Sequence, residues 1–118
     1  MICPLLTYAD MQKAMTELAE VFELRIVWLS DDAAEIQWNG GVAVAQTDQP
    51  EVLHGSHVDN GWTYVRVSDP DAHYPTTLNR GGYVLNEPHS SPHGAQRGYS
   101  ARDREGNIWT FGSHEFGS

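Results

Sequence analysis

Apolar and polar positions alternate with period two in several short stretches of this chain, and follow the helical period in one clear stretch. Cys3 to Tyr8 is a short apolar run that predicts a strand. Asp10 then stands as an N-cap before Met11, Ala14, Met15, Leu18, Ala19 and Phe22, whose spacing predicts an amphipathic helix. Leu24 to Leu29 is rich in strand formers and is turned by Ser30-Asp31-Asp32. Ala34, Ile36 and Trp38 alternate with Glu35 and Gln37. Asn39-Gly40-Gly41 is a hairpin signal, and Val42 to Thr47 follows as a strand. The order over residues 1–47 is therefore βαβββ.

Asp48 to Gly61 is polar and contains Pro and Gly, as a linker does. After it the order starts again. Trp62 to Val67 predicts a strand, and Ser68 or Asp69 caps a helix near Pro70 to Arg80. Pro75, in the early turns of that helix, opposes it. Gly81-Gly82 ends the helix, Tyr83 to Asn86 predicts a strand, and Glu87 to Gln96 a loop. Gly98 to Phe116 then reads as two strands joined by Arg104-Glu105-Gly106-Asn107. Trp109 and Phe111 fall on one face of the last strand, and Ile108, Thr110 and Gly112 on the other. A hairpin with one apolar face needs a cover, usually a helix.

The halves match at their joints. Tyr8-Ala9-Asp10 parallels Val67-Ser68-Asp69, and Asn39-Gly40-Gly41 parallels Glu105-Gly106-Asn107. Such a repeat implies that neither half buries its sheet face alone. The expectation is one α+β domain over residues 1–118. Its first module spans 1–47, its linker 48–61 and its second module 62–118.

A length of 118 residues suits one compact domain. No apolar run reaches membrane-spanning length, and the first residues lack the basic start and apolar core of a signal peptide. Cys3 is the single cysteine, so no internal disulfide can form and a reducing, cytoplasmic compartment is expected. Sixteen acidic against seven basic residues give a formal charge of −9. That balance repels nucleic-acid phosphates and suits solubility or the attraction of small cations.

Arg97 to Phe111, RGYSARDREGNIWTF, resembles the last hairpin of the vicinal oxygen chelate superfamily, which holds glyoxalase I, extradiol dioxygenases and bleomycin-resistance proteins. The pattern there is an aromatic, then Asp-Pro-Asp/Glu-Gly-Asn/His, then an apolar-Trp-x-Phe/Leu strand. Arg104 stands where the family often has Pro. The likeness in sequence covers about the last twenty residues, while the βαβββ repeat extends it in topology to the whole chain. It implies two modules whose strands form a cup-shaped, partly closed mixed sheet with helices outside.

In metal-using members, four ligands converge in the cup from the first and last strands of each module. Carried over, those positions fall at or near Cys3, on Val44, on Trp62 and on Thr110, with Leu5 and Gln46 next on the same faces. None is a histidine or a carboxylate, and a register shift of one brings in only Pro4, Ala43, Ala45, Thr63, Trp109 and Phe111. No metal or other cofactor is expected. His54 and His57, and His89 and His93, have spacings that could chelate, but they fall in predicted loops. His73 and His114 have no partner legible in the sequence, and no nucleophile motif or phosphate loop is present.

Strand alternation places Trp62, Tyr64 and Arg66 toward the cup, with Val44, Gln46, Ile108, Thr110 and Gly112. Thr63, Val65, Val67, Trp109 and Phe111 then pack under a helix, with Trp38. Pro92 to Arg97 resembles the segment that closes over the cup in bleomycin-resistance-like members, which makes His93 a further candidate. Asp59, Glu35 and Glu87 are candidates for an acidic contribution. A wall of Trp and Tyr in acidic surroundings suits planar or cationic ligands.

The resemblance is strongest to the bleomycin-resistance-like binding proteins. It implies a homodimeric binding protein. With the missing metal ligands, Trp62, Tyr64 and the net negative charge, the expectation is sequestration of a small cationic or planar aromatic compound, with no catalysis, no nucleic acid and no membrane. The alternative is a metal-dependent lyase, isomerase or dioxygenase of the same fold, its ligands displaced to the loop histidines. A third class is an interaction module with a filled cup and a protein partner.

Overall fold

In each half of the chain a helix covers one face of a short mixed sheet. The computed structural model describes residues 5–38, 40–47, 62–90 and 97–113. Cys3, the linker 48–61, the histidines at 54, 57, 93 and 114, Asp59 and most of the segment 92–97 lie outside the described residues. The first half runs β1 (Leu5–Tyr8), α1 (Met11–Glu20), β2 (Arg25–Leu29), β3 (Ala33–Trp38) and β4 (Gly41–Thr47). The second runs β5 (Trp62–Arg66), α2 (Pro70–Asn79), β6 (Tyr83–Val84), β7 (His89–Ser90), β8 (Arg97–Arg102) and β9 (Ile108–Gly112). The first sheet has the order β1-β4-β3-β2. The second has β5-β9-β8-β6, with β7 also paired to β8. In both, the first strand lies parallel to the last, so the two βαβββ units share one winding. Neither sheet closes into a barrel.

The first helix forms as its spacing demands. Asp10 caps it by accepting from the Lys13 N–H, and Met11, Ala14, Met15 and Leu18 are buried. Ala19, at the margin of that stripe, is exposed. After Phe22 the chain turns through Glu23, whose φ of 61° is left-handed, and the Leu24 N–H returns to the Leu18 carbonyl. In α2 the Asp69 side chain accepts from the Ala72 N–H and Pro70 occupies the first turn, where it needs no donor. Pro75 sits inside this helix. It costs one bond to the Asp71 carbonyl, and both residues are exposed, so water can reach the freed group.

Two boundaries differ from the pattern-based expectation. The predicted strand at Tyr83 to Asn86 shrinks to Tyr83–Val84, because Asn86 uses its side chain to accept from the Ser100 N–H. Within the predicted loop, His89–Ser90 pairs with Arg97 and Gly98. That pairing is held by the Arg97 guanidinium, which donates to Asp71, Ser90 and the Pro88 carbonyl.

The covered faces of both sheets share one core. Leu6, Tyr8, Ala34, Ile36, Ala43 and Ala45 come from the first, and Val65, Tyr99, Ala101, Trp109 and Phe111 from the second. Phe22 stacks on Phe111 at 5.6 Å, and Trp38 meets Trp109 edge-on at 6.1 Å. Each such large side chain contributes about 2–3 kcal/mol of burial. As expected from alternation, Trp109 and Phe111 belong to the core, at 0% exposure.

Buried polar groups join the modules. The Asp103 carboxylate accepts from the Tyr8 hydroxyl at 2.6 Å and from Trp109 Nε1 at 3.1 Å through one oxygen. Its other oxygen accepts from the Glu105 and Asn107 N–H groups. Glu105 in turn accepts from the backbone N–H groups of Ala9 and Asp10, and Glu17 from that of Arg104. The turn of the last hairpin is therefore locked onto the start of the first helix.

Candidate functional site

The covered faces are joined in one core, and no described helix or strand packs over the opposite faces of the two sheets. On the second sheet this open face carries Trp62, Tyr64, Arg66, Ile108 and Thr110, all less buried than the Thr63, Val65, Trp109 and Phe111 between them. Trp62 is 71% exposed, and its indole N–H donates to Thr110 Oγ1 at 2.8 Å. Thr110 lies diagonally across from Trp62 and directly opposite Ser100, whose hydroxyl completes the chain at 2.7 Å. Gly112 also falls on this face but is buried: the Tyr64 hydroxyl occupies the space that a Cβ there would need. Arg66 reaches the end of the sheet, where it lines the cleft between the modules.

On the first sheet, Leu5, Val44, Glu35 and Trp28 form one row across all four strands, as the register pairs Leu5 with Val44, Val44 with Glu35, and Glu35 with Trp28. Gln46 lies beside Thr7 and Ala33 in the next row. The structure thus brings Val44 and Gln46 together on one open face and Trp62, Tyr64, Ile108 and Thr110 on the other. His93 lies outside the described residues. Glu87 is exposed on the connection after β6, where its carbonyl accepts from His89.

Sequence reasoning missed Trp28. The run Arg25-Ile26-Val27-Trp28-Leu29 has no alternation from which to choose a face. A bulge between Ile26 and Trp28 makes the choice.

The superfamily's metal positions that fall among the described residues do not fit a metal. Val44, and Leu5 next after the undescribed Cys3 position, offer only carbon; Trp62 offers an N–H donor, and the Thr110 hydroxyl is already bonded to Trp62 and Ser100. Among the described residues, no three His, Cys, Asp or Glu side chains converge as a metal group. No helix among them is long and apolar enough to cross a membrane.

A cleft of about 700 Å³ lies where the modules meet, lined on its apolar side by Phe22, Trp38 and Val65 and on its polar side by Glu23, Asp69 and His73. His73 is built into the wall. Its Nε2 faces the Phe22 carbonyl at 3.2 Å and so carries the proton, which leaves Nδ1 to accept from the Tyr99 hydroxyl. The Thr77 hydroxyl bonds Tyr99 at 2.8 Å, and the imidazole stacks on Phe111 at 4.5 Å. Burial holds the His73 pKa below its usual value, against the pull of the Phe22 carbonyl and Glu23. Burial also pushes the Tyr99 hydroxyl up to about 12. These bonds satisfy the ring's polar atoms and dock α2 on α1, which is a structural role.

No family model matches the sequence, and no curated protein is similar to it in sequence. The fold has many counterparts among solved structures. One is TioX from Micromonospora sp. ML1, at 24% identity and a TM-score of 0.78, covering 100% of this chain and 98% of that one. A second is the bleomycin-binding protein from bleomycin-producing Streptomyces verticillus, complexed with copper(II)-bleomycin. It is 18% identical with a TM-score of 0.72, covering 97% and 95%. A third is a member of the glyoxalase/bleomycin resistance protein/dioxygenase superfamily from Sphaerobacter thermophilus, at 19% identity, a TM-score of 0.72 and coverage of 95% and 96%. The chain has the fold of that superfamily, whose members include both binding proteins and enzymes.

Proposed function

We propose that this protein binds and sequesters a small planar, cationic compound on its open sheet faces, with no bond made or broken. The observation that carries the reading is Trp62, an indole 71% exposed to solvent yet tied to Thr110 and Ser100. A ring already held in place gives up little freedom when a flat ligand stacks on it, so more of the stacking energy appears as affinity. The formal charge of −9 favours a cation over an anion. The groups at three of the superfamily's metal positions, Val44, Trp62 and Thr110, favour holding a ligand over metal chemistry. The structural likeness to a bleomycin-binding protein is in keeping with this reading.

In this reading the protein works in the cytoplasm as a homodimer, with neither nucleic acid nor membrane as partner. The covered faces of one chain are used in its own core, so its two open faces are completed by the complementary faces of a second copy. The ligand then lies between the Trp62 face of one protomer and the Val44 face of its partner.

The test is a titration of the purified protein with copper(II)-bleomycin and with acriflavine, read by tryptophan fluorescence. Trp62→Ala is expected to weaken binding about tenfold or more, and Trp62→Phe to retain most of it. Unchanged affinity in Trp62→Ala would place the site elsewhere. Elemental analysis after incubation with zinc, nickel, manganese and iron is the second arm. Near-stoichiometric retention of one metal would overturn sequestration in favour of an enzyme using His54, His57, His89 or His93.

A further inference from the structure

The strand β2 does not run regularly along its sheet. Ile26 pairs with Ile36 on the covered face, and in a regular strand Trp28, two residues on, would point the same way. The bulge between them inserts Val27 and turns Trp28 to the open face, opposite Glu35. There the indole is 46% exposed, and its N–H donates to Glu35 Oε1 at 3.3 Å. The other carboxylate oxygen accepts from Gln37 Nε2 at 2.9 Å. Glu35 is half-buried. Two donors thus orient a carboxylate beside an exposed aromatic ring, and among the described residues it makes no ion pair.

Resting on the binding function proposed above, we infer that Trp28 and Glu35 form a cation subsite that recognises an ammonium or guanidinium group of the ligand. The row they belong to supplies the rest. Leu5 and Val44 offer an apolar floor beside the carboxylate, and adjacent strands lie about 4.8 Å apart. The row is therefore roughly 14 Å long, enough for a flat body at one end and a cationic group at the other. Carboxylate and indole act on the same charge, one by direct attraction and the other through its ring face, which the edge-on N–H bond leaves open. The bulge costs a ladder hydrogen bond, and its effect is to move one tryptophan from the core to this row.

The probe is choline, set against its uncharged isostere 3,3-dimethylbutan-1-ol, each titrated into the ¹⁵N-labelled full chain. The readout is the indole N–H resonance of Trp28, assigned with Trp28→Phe. Choline is expected to shift this resonance saturably, and the isostere to bind roughly tenfold or more weakly. Glu35→Gln, which keeps a hydrogen-bonding side chain of the same size, is expected to abolish that preference. Equal binding of choline and the isostere, or unchanged choline affinity in Glu35→Gln, would overturn the subsite. Neither result depends on Trp62, so failure here is distinguishable from failure of the Trp62→Ala titration.

Discussion

Tyr8 and Asp103, 95 residues apart in sequence, meet in a buried hydrogen bond of 2.6 Å with the tyrosine as donor. The bond ties the first strand of one module to the hairpin turn of the other, and Trp109 donates to the same oxygen. Tyr8→Phe keeps the ring but leaves the carboxylate short of one donor. It is expected to destabilise the fold by about 1–3 kcal/mol in urea unfolding. A loss no larger than that of an exposed Tyr→Phe change, such as at Tyr83, would mean that the carboxylate is resolvated.

Gly112 carries a steric prediction. A methyl group there would collide with the Tyr64 hydroxyl and ring. Gly112→Ala is expected to cost about 1–3 kcal/mol and to displace Tyr64 from the open face. In a Tyr64→Phe background, which removes the nearest atom, the same change should cost measurably less. Equal costs in the two backgrounds, compared in a double-mutant cycle, would contradict the contact.

Glu23 closes the first helix in a left-handed conformation that favours glycine. Glu23→Gly is expected to raise stability by about 1 kcal/mol, seen as a higher Tm at neutral pH. A destabilised variant would mean that the glutamate side chain makes a compensating contribution.

Buried ionisable groups give the pH dependence. The His73 pKa is depressed by burial, so below about pH 6.5 the unfolded chain takes up a proton that the native imidazole resists. The unfolded state then binds more protons, and stability falls as pH falls. Tyr99 works at the other end. Its hydroxyl is pushed up to about 12, and the unfolded chain ionises near 10, so stability falls as pH rises between those values. Tyr8 is shifted in the same direction, first by burial and then by the Asp103 charge. Denaturant midpoints measured across pH should flatten on the acid side in His73→Gln and be lower on the alkaline side than at neutrality in the parent protein.

Much of the architecture was legible before folding was considered. The apolar spacing from Met11 to Phe22, the caps at Asp10 and Asp69 and the alternation through Ala34–Trp38 and Ile108–Gly112 are local signals. A period of two or 3.6 residues is a property of the backbone itself, so these stretches declared their elements and their buried faces. The same signals showed the repeat, and the open-face positions of Trp62, Tyr64, Val44, Gln46 and Thr110 followed from it. Short pairings were less legible. His89–Ser90 has no strand pattern of its own and exists because Arg97 holds its backbone against β8.

What tertiary structure alone decided were the relationships that no local period encodes. The strand Arg25–Leu29 is apolar through its middle, and only its pairing with β3 sets the bulge that sends Trp28 to Glu35. His73 looked partnerless along the chain because Phe22, Tyr99 and Phe111 reach it from elements 51, 26 and 38 residues away in numbering. Gly112 read as an open-face residue until the Tyr64 ring folded over it. Local sequence determined which residues form strands and helices and which faces are apolar, because backbone geometry repeats. It could not determine which distant side chains satisfy one another's hydrogen bonds, because that depends on packing two modules around a single core.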